Sequence, residues 1–392
     1  CFSSCKAMSF LFRSTLKTEG LGGVSATDFL AENTQQDIDT TGFGRAVTAF
    51  SLDILKSVYD SRSASKNTLF SPSSLYKTLL ALYLGSTGDS KVKLAKALHL
   101  DNVKQYSTAG NINVWRKLKS AEVLEDERLF HDDSINISDD IKNLLGDDLQ
   151  GLPFQSSTSK EVINGWASDV TQSHIKEVIK DEPGSDVKFM TTGVVYNKPD
   201  WEITFPTYNT QSGIFHLSDK TTKSVTFMGM TYYLLYYKSE SLKCKVLTLK
   251  YKTPELSFVM FLPDEGQTVS SVIASLTVEE IEKAVNNREK DRIVLKLPKF
   301  TMEEMMNVSG LCETLGICDL FAPGEADLTG FSHDSNFHVG DALQKVVIEV
   351  TDEGNPPPRG TKGRGGIENF DANHPFVYMV YNNLSKMPVF MG

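Results

Sequence analysis

The sequence lacks an excess of positive charge, a long apolar run and more than a handful of cysteines, and each lack removes a class of function. With 40 Lys and Arg against 50 Asp and Glu, the net charge is −10. That argues against general affinity for nucleic acid or anionic membrane, because phosphate binding needs a positive surface. Local basic patches stay open. No run of about 18 apolar residues occurs, so no helical membrane span is expected. The five cysteines, Cys1, Cys5, Cys244, Cys312 and Cys318, are odd in number and have no metal-like spacing to histidines. They make neither a disulfide scaffold nor a zinc module, although Cys1 and Cys5 could bridge or cap an arm. There is no HExxH and no G-x-S-x-G, and Gly363-Arg364-Gly365-Gly366 has no strand-turn-helix around it to make a phosphate loop. His99, His131, His174, His216, His333 and His338 read as structural or solvent-facing. No metal, no cofactor and no enzymatic activity is expected.

What is present is enough apolar surface for a large core, as one big domain or two smaller ones: 392 residues, 40% apolar and 10% aromatic. Residues 1–42 read as a loosely attached arm. A chain beginning on Cys1 is expected to be mature, with its signal removed, or trimmed. Sequons at Asn136, Asn307 and Asn383 are compatible with secretion. A secreted, extracellular monomer is the expectation. Val47, Phe50, Ile54 and Val58 predict an amphipathic helix. Ser71-Pro72 predicts an N-cap and first turn, followed by a buried helix through Leu75, Leu79 and Leu82 that stops near Gly85. Further helices are expected from Gly88 to Leu100, around Val114–Val123, in an acidic stretch before Leu152, through Val162, Trp166 and Val170, over Val278–Val285 and over 303–316. Strands are expected near Leu129 and over Phe189–Tyr196, Ser224–Tyr237, Lys245–Tyr251, Leu256–Leu262, Ile293–Leu297, Phe376–Tyr381 and Met387–Met391. Helices and strands in blocks, without βαβ alternation, read as α+β.

The stretch to watch begins at Gln344. Val346, Ile348 and Val350 lie on one face of a period-2 strand, with Val347 opposite beside Lys345 and Glu349. Twenty residues of Gly, Pro, Asn and basic side chains then separate Gly354 from Pro375. That is longer than connections in compact domains usually are, which marks the loop as functional, disordered or both.

In chain order these segments resemble the serpin family. Asn67–Ser90, NTLFSPSSLYKTLLALYLGSTGDS, is similar to the family's shutter serine and following helix, with Ser71, Pro72 and Ser74 in place. Ile163–Ile179 keeps Asn164, Trp166 and Thr171, and YNKPDW keeps Tyr196, Lys198 and the breach tryptophan Trp201. SFVMFLPDEG, LPKF, LGICDLF, ADLTGFS, VIEVTDEG and FDANHPFVY follow in order. The resemblance covers about residues 45 to 392 and is nearest to invertebrate members. It implies a single α+β domain over 43–392, with three β-sheets, about eight or nine helices and an exposed reactive loop over 355–369. It also implies a shutter cluster of Ser71, an asparagine and His374. Two departures stand out: Gly193 occupies the shutter asparagine position, and Pro199 replaces a glycine beside Trp201.

In an inhibitory serpin a protease cuts the loop and the freed segment inserts as a new strand in the main sheet, driven by stored strain. Asp352, Glu353 and Gly354 match the start of that segment, but Asn355, Pro356, Pro357, Pro358 and Arg359 follow. Three prolines remove three N–H donors from a strand that uses all of them. At roughly 1–3 kcal/mol per unsatisfied group, the penalty is on the order of 3–9 kcal/mol. Length argues the same way. Cutting after Arg359 frees five residues and cutting after Arg364 frees ten, or roughly 17 and 34 Å. Counting as the family counts puts the scissile position near Glu368, almost against Phe370. The expectation is a non-inhibitory binding, carrier, regulatory or storage protein whose partner is a protease, another protein or a small-molecule ligand. The alternative is a protease inhibitor with an atypical loop, cut at Arg359 or Arg364. Plain solvation of Arg359, Lys362 and Arg364 is the simplest reading of that basic loop. Lys104, Arg116, Lys117 and Lys119 could form part of a polyanion site as in some serpins, but Asp101, Glu122, Glu125 and Asp126 dilute them and weigh against it. Ser71 and His374 are read as structural, not as an acyl-transfer pair.

Overall fold

The computed structural model describes residues 40–61, 66–100, 123–198, 200–353 and 367–392. Helix α1 (Thr40–Ser61) buries Val47, Phe50, Ile54 and Val58 as their spacing requires. Helix α2 (Pro72–Gly85) starts from Ser71, whose extended backbone and hydroxyl accept the chain into the helix: Ser71 Oγ receives the Ser74 N–H at 3.4 Å, and Pro72 fills a position that needs no donor. Helix α3 (Gly88–Ala97), strand β1 (Leu124–Asp132), helix α4 (Asp139–Leu145), strand β2 (Leu149–Leu152) and helix α5 (Ser159–Val170) follow. In α5 the inward residues are Ile163, Trp166 and Ala167, while Val162 faces solvent. The expected helix around Val114–Val123 and the basic patch at Lys104, Arg116, Lys117 and Lys119 lie outside the described residues, apart from Val123.

Strands then dominate: β3 (Phe189–Asn197), β4 (Gln211–His216), β5 (Thr222–Ser239), β6 (Cys244–Lys250) and β7 (Leu256–Pro263). Two short helices interrupt them, α6 (Val269–Ser275) and α7 (Val278–Asn286), where a single helix is expected. Both are capped by threonine, Thr268 and Thr277. Strands β8 (Glu289–Pro298) and β9 (Phe300–Asn307) come next. Residues 303–316 are not one helix. Glu and Met favour helix locally, but Thr301, Glu303, Met305 and Asn307 alternate outward while Met302, Glu304 and Met306 are more buried. That period of two fits an antiparallel partner, and pairing wins over propensity. A four-residue helix, α8 (Cys312–Leu315), is all that remains helical there besides a 3₁₀ turn. The chain ends in β10 (Asp341–Val350), β11 (Ile367–Asp371), β12 (Val377–Asn382) and β13 (Met387–Met391).

The described strands form two hydrogen-bonded sheets. The main one has the order β2-β1-β3-β10-β9, with β3 and β10 parallel and β9 antiparallel to β10. The larger one has the order β11-β8-β5-β6-β7-β12-β13, with β4 added on β5. Three sheets are expected and two networks are found because the 18-residue β5 runs unbroken through both groups of the larger one. Its first part lies with β4 and β8, and its last five residues pair with β6. Eight α-helices occur among the described residues.

The cysteines hold a surprise. Cys312 and Cys318 form a disulfide across six positions, a pair the sequence reading passed over, and Cys244 is a buried thiol. Burial pushes that thiol up to about 12, so it stays protonated and unreactive.

Packing is close where α2 ends. A Cβ on Gly85 would come within 2.3 Å of the Phe331 ring, which is fully buried. Gly85→Ala should therefore lower stability by about 1–3 kcal/mol through overpacking, read from the urea unfolding midpoint. Gly165→Ala, in α5 with nothing within 4 Å of the new methyl, should be neutral or stabilising by up to about 1 kcal/mol. Equal effects at the two sites would contradict the packing described.

Candidate functional site

Two neighbouring clusters hold the sequence-predicted residues, one at the end of β10 and one beneath the middle of the main sheet. At the end of β10 the chain is pinned three times in three residues. Trp201 is buried edge-on against Phe205, Tyr251 and Phe258, with ring centroids 5.9, 5.2 and 5.9 Å away. Its indole N–H donates to the Thr351 carbonyl at 2.8 Å. Asp352 is buried and accepts from Thr210 Oγ1 and Lys299 Nζ, each at 2.6 Å. Glu353 is exposed and pairs with Lys198 at 2.6 Å. Its hydrogen bond holds the Lys198 ammonium above its ordinary range, with Glu349 adding to it. Tyr196 donates to Glu349 at 3.0 Å, which ties β3 to β10 at this end.

Past Glu353, Gly354, Asn355, Pro356, Pro357, Pro358, Arg359 and Arg364 lie outside the described residues, as does Pro199. The chain returns in β11, parallel to β8, with Ile367 opposite Arg292 and Glu368 opposite Ile293. The strand begins three residues before Phe370, where sequence alone places it. Because Ile367–Asp371 is strand, the span between β10 and β11 is Thr351–Gly366, shorter than the twenty residues counted to Pro375.

Beneath the sheet the expected trio of Ser71, an asparagine and His374 is replaced by another arrangement. Ser71 Oγ donates to the Val389 carbonyl at 2.8 Å. The Ser71 backbone is held by Gln344, whose Oε1 accepts the Ser71 N–H at 3.0 Å and whose Nε2 donates to the Ser71 carbonyl at 2.8 Å. His374 does not take part. Its ring nitrogens lie 3.0 Å from Asn373 Oδ1 and 3.0 Å from the Pro263 carbonyl. The reason is position in the fold: His374 lies in the connection from β11 to β12, against the end of β7, whereas Gln344 on β10 faces Ser71. Ser74 packs over Gly193, where a Cβ would stand 2.6 Å from Ser74 Oγ. Next along α2, the Lys77 ammonium meets Glu125 at 3.1 Å and Glu127 at 3.0 Å, with all three side chains essentially out of water. Burial alone would lower the Lys77 pKa, but the two carboxylates outweigh it and hold the ammonium above its ordinary range.

Sequence reasoning misses Gln344, Lys77, Glu125 and Glu127, yet the first two leave a signal. Gln344 shares its strand face with Val346, Ile348 and Val350, and Lys77 is the one charge in a helix without other ionisable carboxylates or bases. A polar group on an apolar face needs a buried partner.

The Serpin family model, described as serine protease inhibitor, matches residues 45–392. Leukocyte elastase inhibitor of Xenopus tropicalis is 29% identical over 367 residues, covering 88% of this chain and 97% of the relative. Leukocyte elastase inhibitor of Homo sapiens is 27% identical over 369 residues, with the same coverage. Among solved structures, a tumour suppressing serpin superposes with a TM-score of 0.82 at 25% identity, covering 90% of this chain and 99% of that one. Uncleaved ovalbumin does so with a TM-score of 0.79 at 21% identity, covering 89% and 98%. With the α+β fold, the main sheet and the site laid out in this order, the chain belongs to the serpin family, whose description is of an inhibitor and not of a catalyst.

Proposed function

We propose that this serpin does not trap proteases and acts instead as a secreted binding, carrier or regulatory protein. The observation that carries this is the position of Glu368: the bond the family would cut falls inside β11, hydrogen-bonded along β8. A protease needs an extended segment free on both sides of the bond, and here the residues on both sides belong to β11. A second obstacle is the sequence Pro356-Pro357-Pro358. An inserting segment has to part β3 from β10, which pair over eight residues from Asp341–Met190 to Ile348–Asn197, and then donate N–H groups to both. Three prolines withhold three of them.

Secretion is supported by the Cys312–Cys318 bond, since disulfides persist in oxidising compartments. The sequons are unequal in this respect. Asn136 and Asn307 are exposed. The Asn383 amide is committed, its nitrogen donating to the Pro254 carbonyl at 3.1 Å and Ser257 Oγ at 2.9 Å.

A second reading is favoured by one observation, the intact hinge at Thr351–Glu353. A hinge so held suits a loop presented to a protease as a reversible substrate mimic, cut or bound at Arg359 or Arg364, and the relatives at 27–29% identity carry the name of elastase inhibitors.

Incubation with trypsin-like and elastase-like proteases should give no SDS-resistant covalent complex, and cutting the loop should leave the thermal midpoint nearly unchanged. A covalent complex at good yield, or a large rise in midpoint, would defeat the proposal; inhibition abolished by alanine at Arg359 and Arg364 would favour the second reading. Expression of the full chain through a secretory pathway, followed by peptide mapping, should find glycan at Asn136 or Asn307 and none at Asn383. Folded protein occupied at Asn383 would contradict this. The hinge itself is testable by pH. Burial pushes the Asp352 carboxyl up, but hydrogen bonds from Lys299 and Thr210 outweigh it and hold it below the usual carboxylate range. A depressed pKa contributes stability that is full above the unfolded value and is lost as pH falls through the folded one. Asp352→Asn should cost about 1–3 kcal/mol at neutral pH, and its gap to wild type in urea unfolding should close below about pH 4. A gap independent of pH would rule out the charged role.

A further inference from the structure

A cavity of about 290 Å³ opens between the connection from β1 to α4 and the residues that follow Gly330. Ligand pockets usually run to about 300–1,000 Å³, so this one has room for a single sugar-sized ring and no more. Its walls are fixed before anything binds. Ser138 donates its backbone N–H to the Phe331 carbonyl at 2.8 Å and its hydroxyl to the Gly330 carbonyl at 2.6 Å, which stitches one wall to the other. The same hydroxyl accepts the Ile141 N–H at 3.4 Å and caps α4. On the far wall Ser332 Oγ accepts the Asp334 N–H at 3.3 Å, and Asp334 Oδ1 accepts the Asn336 N–H at 3.0 Å.

The polar capacity left over in the lining is mixed. Ser332 keeps its hydroxyl proton to donate, Asp334 keeps its second carboxylate oxygen, and the His333 ring makes no hydrogen bond among the described residues. Ile135 and Phe331 supply apolar surface. Donors and acceptors beside an apolar wall suit an N-acetylhexosamine, a ring with an apolar C–H face, hydroxyls and one acetamide. Asn136 identifies where such a ring would come from. It lines the cavity, is exposed, and opens the sequon Asn136-Ile137-Ser138, and its side chain makes no hydrogen bond among the described residues. The other sequons differ. Asn383 has its nitrogen committed to Pro254 and Ser257. Asn307 ends β9, away from this lining, with its Oδ1 taken by the Ser309 N–H at 3.0 Å and hydroxyl at 2.8 Å.

We propose that the cavity is the seat of the first N-acetylglucosamine of a glycan carried by Asn136, so that this sugar packs as part of the fold. The inference rests on the reading of the chain as secreted. Transfer forms a bond from Asn136 Nδ2 to C1 of the sugar, breaks the C1–phosphate bond of a lipid-diphosphate-linked donor and releases one amide proton. A free monosaccharide would fill so small a site weakly. The bond to Asn136 makes the encounter intramolecular, at an effective concentration of about millimolar. A group that packs against the native state alone adds to its stability.

The full chain tests this when it is expressed through a secretory pathway that adds high-mannose glycans and is then trimmed by endoglycosidase H to one N-acetylglucosamine per occupied asparagine. The trimmed protein should melt with the untrimmed one, because only the first sugar is seated. Asn136→Gln should melt at least about 2 °C lower, and Asn307→Gln should not. Wild type made without glycan in a bacterial periplasm gives the same comparison with no substitution. His333→Ala should lower the midpoint of the sugar-bearing protein and leave that of Asn136→Gln unchanged, a coupling that a merely structural histidine would not show. Free N-acetylglucosamine at about 1 mM should not raise the Asn136→Gln midpoint. Equal midpoints for the single-sugar and sugar-free proteins, or a His333→Ala effect that is the same with and without the sugar, overturns the inference. So does rescue by the free sugar, which would assign the cavity to a soluble saccharide. Glycan at Asn307 with Asn136 bare would overturn this inference alone, whereas both bare would defeat the glycan expectation of the proposed function as well. A covalent protease complex would defeat the non-inhibitory reading and leave this result standing.

Discussion

Burying a helix on every side leaves its polar atoms no water to turn to. Thirteen of the fourteen residues of α2 are buried, and among them are Ser73, Ser74, Lys77 and Thr78, with Ser71 at the cap. Each such group has to find its partner in the structure above or beside it. This constraint explains features that look unrelated along the chain. β1 carries Glu125 and Glu127 on its inner face, β10 carries Gln344 among valines and isoleucines, and β3 carries a glycine between them. None would be sensible alone. Together they form the polar floor on which one helix rests.

The end of β10 follows a different logic, with a buried carboxylate and a buried indole fixing a strand terminus. Trp201 and Asp352 bind neighbouring positions from opposite chemical sides, one donating to the backbone and the other accepting from Lys299 and Thr210. Lys198–Glu353 adds an exposed ion pair, a contribution that solvent keeps small. The chain is therefore firmly defined up to Glu353 and again from Ile367, where β11 joins β8.

Much of this was legible in the sequence, and the misses have physical causes. Ser71-Pro72 gave the start of α2 because capping is local chemistry, and the alternation of Val346, Ile348 and Val350 gave β10 because one face of that strand is buried. β9 was misread because Met and Glu report helix preference while the deciding term, pairing with β10, is remote in sequence. The start of β11 is three residues earlier than sequence places it because Ile367–Asn369 has no apolar alternation and is strand by its pairing with β8. Ser71 is legible as the cap of α2, whereas His374, placed beside it only by its motif in a cluster that Gly193 already left incomplete, lies against Pro263 and Asn373. The Cys312–Cys318 bond was overlooked because an odd cysteine count says nothing about which thiols are brought together.

The strand order of the larger sheet also decides what a cut in the loop would leave behind. The last 26 residues, Ile367 onward, are not an appendage: β11 lies along β8, β12 is enclosed between β7 and β13, and Met391 bridges Phe70. Severing the backbone between Glu353 and Ile367 would cut none of these strand pairings. The two fragments would travel as one particle in native conditions and come apart only when the sheet itself is denatured.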